Sequence, residues 1–291
     1  MTIETGDDGG LIPRVKAWAE KTGLPLELET RLVLEASCLP ETEFPAFDVQ
    51  SSVSFVDPET GKGREIDVVA SYKSRYFIQF DIAIECKASD KPWLVVVDEL
   101  TPRRAARGER FGIASSRTLE RWKQRGDTID SLCHEPQGVF LASHMSDGFI
   151  FKQAFSQKES DDAYAASMSA LKAAVALVQA SQHPLVHFVW PVIVVDSPII
   201  ECAVNAAGVP GEIAFNEVET SDFLFTTYLG TERTRSLIRV VHKRSLVKFV
   251  EMVRDYGTLM NDQFVPRIPV WLHHDEREAE FLASDESRES K

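Results

Sequence analysis

Tyr76-Phe-Ile-Gln-Phe-Asp-Ile-Ala-Ile-Glu-Cys-Lys-Ala88 is the most regular strand pattern in the chain, and its reading decides the fold. Side chains alternate across a strand, so Ile78, Phe80, Ile82, Ile84, Cys86 and Ala88 share one face, while Gln79, Asp81, Glu85 and Lys87 share the other. The pattern predicts one core face and one face that carries chemistry. Glu85 and Lys87 stand two residues apart, about 6.6 Å along the same face.

Upstream, Phe47–Val56 and Arg64–Ala70 alternate like strands around the turn residues Asp57-Pro-Glu-Thr-Gly-Lys-Gly63, which predicts a β-hairpin. Residues 11–37 carry apolar positions at helical spacing, with Leu28, Leu32 and Ala36 on one face, so one or two helices open the chain. Downstream come a short apolar run at 93–97, a basic segment over 102–135 that reads as helical, and an alanine-rich helix over 161–182. Strand patterns follow at 190–195, 199–204 and 237–241, then an amphipathic helix from Ser245. With no repeats and no linker-like stretch, the expectation is one α/β domain over residues 1–270, a mixed central sheet flanked by helices, with 98–160 as an inserted helical segment. Residues 271–291 read as an acidic flexible tail, with seven acids against three bases from Leu272 onward.

Glu85-Cys-Lys87 is an E-x-K unit at the end of a buried strand, and Asp67 lies in the strand after the hairpin turn. Hard cations such as magnesium are held by carboxylates, and such an ion can polarise a phosphoryl oxygen and acidify an attacking water. A neighbouring lysine can position or deprotonate that water and steady the developing negative charge. Two acids and one lysine are therefore the minimal kit for phosphodiester hydrolysis.

On these residues the chain resembles the PD-(D/E)XK nuclease superfamily, which includes restriction endonucleases and Holliday-junction resolvases. The resemblance implies a restriction-endonuclease-like αβββαβ core, with Asp67 as the acid of the second strand and Glu85 and Lys87 as the (D/E)-x-K unit of the third. Glu27, or its neighbour Glu29, would be the glutamate of the first helix. It implies Mg2+ or Mn2+ held by Asp67 and Glu85, and catalytic roles for Asp67, Glu85, Lys87 and Glu27. Ile66 stands where the family's name-giving proline would be. The implied partners are nucleic acid, DNA first, and a second copy of the chain in a homodimer, with no membrane.

Register is the weak joint. A symmetric turn centred near Ser74 would set Asp67 opposite Asp81 and leave Glu85 about 13 Å further along, too far for one metal. Either the turn is centred nearer Tyr76, or a bulge shifts the ladder, or Asp81 is the partner of Asp67.

The net charge of −13 runs against a phosphate-binding protein. The segment 101–125 reverses it locally, with eight basic residues against Glu109 and Glu120. Arg103, Arg104, Arg107 and Arg110 recur at near-helical spacing and are the candidate nucleic-acid contacts. Cys38, Cys86, Cys133 and Cys202 show no C-x-x-C spacing and read as reduced, mostly buried thiols. His183 and His187 are separated by four residues but span Pro184 and read as a loop entering a strand. Trp93 reads as core. The N-terminus lacks a signal-peptide pattern and no run of about 18 apolar residues is present, so a cytoplasmic protein is expected. Phosphate-loop, dinucleotide, serine-hydrolase and zincin motifs are absent from the sequence. Two readings follow: a metal-dependent nuclease acting in defence or repair, and a catalytically inactive binding module on the same fold.

Overall fold

The computed structural model describes residues 10–19, 22–39, 43–72, 78–99, 112–116, 118, 148–156, 161–181 and 186–264. Its elements are the helices α1 (Leu11–Ala19) and α2 (Leu24–Glu35), then strands β1 (Phe47–Val56), β2 (Gly63–Tyr72), β3 (Ile78–Lys87), β4 (Trp93–Asp98), β5 (Ile113–Ala114) and β6 (Gly148–Gln153). Helix α3 (Asp162–Ala180) leads to β7 (Val186–Val195), β8 (Ile199–Val204), β9 (Ile213–Val218), β10 (Thr220–Leu229), β11 (Glu232–His242) and helix α4 (Leu246–Phe264).

One mixed sheet runs in the order β1-β2-β3-β7-β11-β10-β6-β4-β8-β9, with β5 paired beside β7. The first three strands form an antiparallel meander, and β7 joins β3 in parallel from Ile78↔Val186 to Lys87↔Val195. A parallel neighbour requires a crossover, and α3 lies in the connection. Its N-cap is Asp161, whose side chain accepts from the Tyr164 N–H at 3.2 Å. The alanine-rich surface of α3 brings the helix close to the sheet, burying Ala166, Ala170, Ala173 and Ala174 completely.

Helices cover both faces. Leu26 and Leu34 of α2 and Phe249, Val253 and Tyr256 of α4 pack with Phe80, Ile82, Ile84 and Cys86 of β3. On the other side, Ala173 and Ala174 of α3 meet Ala83, Val69 and Val189. Strand β3 is thus buried on both faces, including Asp81 and Glu85, with Gln79 and Lys87 half-buried, so the polar face predicted to carry chemistry is itself largely covered. A strand flanked by β2 and β7 and roofed by helices on both sides keeps little surface for solvent. Gly257 permits the close approach of α4, since a Cβ there would lie 2.5 Å from the Tyr72 ring.

Three further expectations change. Among its described residues, segment 98–160 contributes the strands β5 and β6, with β6 inserted between β10 and β4; six residues long with three apolar side chains, β6 is too short to declare itself by period. On α2 the core face is Leu26, Thr30 and Leu34, whereas Leu28, Leu32 and Ala36 are exposed. Of the thiols described, Cys86 is buried but Cys38 and Cys202 are half-buried. The tail over 271–291 and Cys133 lie outside the described residues.

By length and composition α3 could cross a membrane, but its apolar surface is taken up by the sheet. Trp93 is core, stacked on Phe151 with ring centroids 5.3 Å apart.

Candidate active site

The β2–β3 ladder pairs Ser71 with Asp81, Ala70 with Ile82, Val69 with Ala83 and Val68 with Ile84. The midpoint of that register is position 76, and its next step sets Asp67 opposite Glu85. The register is therefore centred on position 76 rather than 74, and Asp81 pairs with Ser71, not with Asp67. Backbone pairing stops at Val68, and the Cys86 N–H donates instead to Asp67 Oδ2 at 2.7 Å. A carboxylate thus continues the ladder where the strands part.

The companion strand is deformed at the same level. Ser52 faces the Asp67 position, makes no register pair, and holds φ at 53° in the left-handed region. Phe47 and Val49 pack on the α2 and α4 side, whereas Val53 and Phe55 pack on the α3 side. The same exchange occurs in β2, where Val68 and Ala70 point one way and Ile66 joins the cluster of Val69. Left-handed serine is unfavourable by roughly 1–2 kcal/mol, so its neighbours hold the twist in place.

Glu85 is 7% exposed and both of its oxygens are engaged. Oε1 pairs with Lys87 Nζ at 2.6 Å, and Oε2 accepts from Ser169 Oγ at 2.7 Å. Ser169 belongs to α3 and escapes sequence reading, because one serine in an alanine-rich helix carries no signal until that helix is docked. Glu27 sits in the first turn of α2. A Cβ on Gly23 would lie 3.1 Å from Glu27 Oε1 and 3.9 Å from the Cys86 carbonyl oxygen, so the Glu27 carboxylate stands near the end of β3. Glu29 is exposed.

Electrostatics bind these residues into one group. Burial, with the like charges of Glu85 and Glu27, pushes the Asp67 carboxyl up to about 7 against the Cys86 N–H and Lys87, which pull it down. Glu27 is raised by burial and by Glu65 and Glu85. Burial pushes the Lys87 ammonium down, but Glu85 and Asp67 outweigh it and the net shift is upward. The Cys86 thiol is driven far up by burial, so it is an inert core side chain.

Asp81 stands elsewhere on β3. It is buried, and its Oδ2 meets His187 Nε2 at 2.9 Å and Gln79 Nε2 at 2.8 Å. Asp67, Glu85, Lys87 and Glu27 are thus brought into one electrostatic neighbourhood, while Arg103, Arg104, Arg107 and Arg110 lie outside the described residues. Among the described residues, no three His, Cys, Asp or Glu side chains form a group that could hold a metal ion. Asp67 and Glu85 are the facing pair of acids, and Glu27 is coupled to them through space.

Compared with known protein families, with curated proteins and with solved structures, the chain matches none.

Proposed function

We propose that this chain is a divalent-metal-dependent nuclease with a restriction-endonuclease-like core, acting on nucleic acid and most of all on DNA. The order α2–β1–β2–β3–α3–β7, with β7 parallel to β3, supports the αβββαβ core. The observation that carries the reading is the meeting of Asp67 with Glu85 and Lys87 where the β2–β3 ladder ends.

The residues fit a hard cation. Magnesium is commonly held by one or two carboxylates, with waters and substrate phosphates filling the other positions. Asp67 and Glu85 would hold it. Asp67 is raised first by burial and then by the like charges of Glu85 and Glu27, and a divalent ion beside it would favour its charged form. When bound, the ion would polarise the phosphoryl oxygen and acidify the attacking water.

The chain's own groups do the rest. Ser169 holds one oxygen of Glu85, so the carboxylate cannot swing freely on its strand. Lys87, kept cationic by Glu85 and Asp67, orients the water by donating to it and steadies the negative charge that builds on the phosphoryl group. Glu27 adds negative potential from the helix side, coupled through space to Glu85 and Lys87.

Incubation with plasmid DNA, single-stranded DNA and RNA, in magnesium and then in EDTA, tests the reading. Wild type should cut at least one substrate only with the metal, and a Glu85→Ala, Lys87→Ala double variant should lose on the order of a thousandfold in rate. Equal residual cutting by the two proteins sinks the enzyme. The second reading, an inactive binding module, draws on the charge of −13 and on the engagement of both Glu85 oxygens within the protein. Nucleic-acid binding with no metal-dependent cutting would establish it.

A further inference from the structure

Phe155 stands where the chain turns out of β6, with φ at 56° and its side chain 80% exposed. A bulky residue is strained in that left-handed region, where glycine would not be. A ring so exposed recovers little of the cost by packing within the protein, and it meets no other aromatic ring among the described residues. A strained, outward phenylalanine calls for a partner outside the chain.

A lysine shares its corner. Trp93 of β4 pairs with Gln153 of β6, and one step further the Ala154 N–H donates to the Pro92 carbonyl at 2.9 Å. The next position on each strand brings Lys91 and Phe155 together. The Lys91 backbone is fixed, its N–H donating to Ser89 Oγ at 3.0 Å and its carbonyl accepting from Ser197 Oγ at 2.8 Å. Its ammonium takes no carboxylate partner among the described residues. The corner also adjoins the proposed active site: Ser89, two residues beyond Lys87, accepts from Gln153 Nε2 at 2.8 Å, and Phe155 is two residues beyond Gln153. At about 7 Å for each two residues of chain, Phe155 lies no more than roughly 25 Å from Lys87. Of the acids nearby, Asp161 caps α3 and pairs with Lys152, and Asp196 takes the Ser89 N–H. Asp90 is exposed beside Lys91, so any anion held here depends on the ring first and on the lysine second.

We infer that Phe155 and Lys91 form a subsite for an unpaired nucleotide of the substrate, the base stacking on the Phe155 ring and an adjoining phosphate meeting the Lys91 ammonium. The inference rests on the nuclease reading for its substrate and adds that the strand is held unpaired beside the site. Every base has a face that an aromatic ring can stack on, whereas a base inside a duplex has both faces covered by its neighbours. An apolar protein partner would explain the phenylalanine but gives the lysine beside it no role.

Fluorescence anisotropy of the full chain supplies the test, with labelled single-stranded DNA, RNA of the same sequence and duplex DNA, and with calcium, another oxygen-seeking ion, in place of magnesium. Wild type should bind a single strand of DNA or RNA more tightly than the duplex. Phe155→Gly should weaken single-strand binding about tenfold while the melting temperature holds or rises, because glycine accepts the left-handed backbone. Phe155→Trp should keep the affinity. Lys91→Ala should weaken it about threefold and flatten its salt dependence by roughly one phosphate contact. Single-strand binding unchanged in Phe155→Gly overturns the subsite, and so does an equal loss for duplex and single strand, or wild type that binds neither single strand. The nuclease reading is judged separately, by cutting in magnesium. Equal cutting of duplex by wild type and Phe155→Gly, with single strands bound no better, overturns the subsite and leaves the enzyme. Ring-dependent binding of single strands without any cutting keeps the subsite and removes the enzyme.

Discussion

Asp57 and Asp67 stand ten residues apart on the same hairpin, and the structure treats them in opposite ways. The Asp57 side chain is fully buried, yet its carboxyl is held well below the usual range. Burial would raise it, but Lys172 Nζ at 3.0 Å, the Glu59 N–H at 2.9 Å, the Arg64 guanidinium and the Thr60 N–H outweigh the cost. Lys172 reaches it from α3 and also pairs with Glu59 at 2.8 Å, so the cluster ties the hairpin turn to the crossover helix. Asp67 receives one backbone N–H and faces two carboxylates, and its carboxyl rises to about 7. One aspartate is a fastening. The other is raised, first by burial and then by the neighbouring carboxylates, with one backbone N–H and Lys87 too weak to offset them.

That contrast can be broken most forcefully at Asp57. Replacing it with Ala should destabilise the protein by about 3–5 kcal/mol in urea denaturation, because Lys172 stays buried after losing a partner. A change below 1 kcal/mol would show that the cluster is not a fastening.

At Asp67 the sign reverses. A carboxyl raised from 3.8 to about 7 binds its proton more readily in the folded state, so the Asp67 contribution to stability is fullest below pH 4 and is lost as pH climbs through about 7. Asp67→Asn should match wild type near pH 4 and exceed it by about 1–2 kcal/mol at pH 8, discounted from the full shift because Asp67 is partly open to solvent. Wild type gaining stability over Asn across that window would refute the electrostatic account. Asp57 has the opposite linkage: its contribution is present above pH 4 and is lost on acidification.

The smallest expected effect sharpens the site rather than breaking it. Ser169→Ala frees Glu85 Oε2 and should weaken Mn2+ affinity by about tenfold, read by electron paramagnetic resonance, with little change in melting temperature. Ser169→Thr should recover part of the loss. Unchanged affinity in Ser169→Ala would reduce the serine to a packing contact.

Much of the architecture around the site is legible in local sequence. The period of two over Ile78–Lys87, the turn residues between β1 and β2 and the alanine-rich run of α3 each report a local preference, and the elements formed where those patterns stand. The misreadings share a cause. Helix α2 carries two apolar stripes, and periodicity cannot say whether Leu28 or Leu26 faces the core. Strand β6 is six residues long and takes its place from neighbours remote in the chain, β10 and β4.

What the sequence by itself determined is the chemistry on one strand: Glu85 and Lys87 share a side because backbone geometry repeats every two residues, whatever surrounds them. Only the tertiary structure decided that Asp67 meets Glu85, that Asp81 turns to His187, and that Ser169 donates to Glu85 from α3. Those outcomes depend on register and on helix docking. Both are set by burial summed over strands and helices far apart in the chain, which no local pattern encodes.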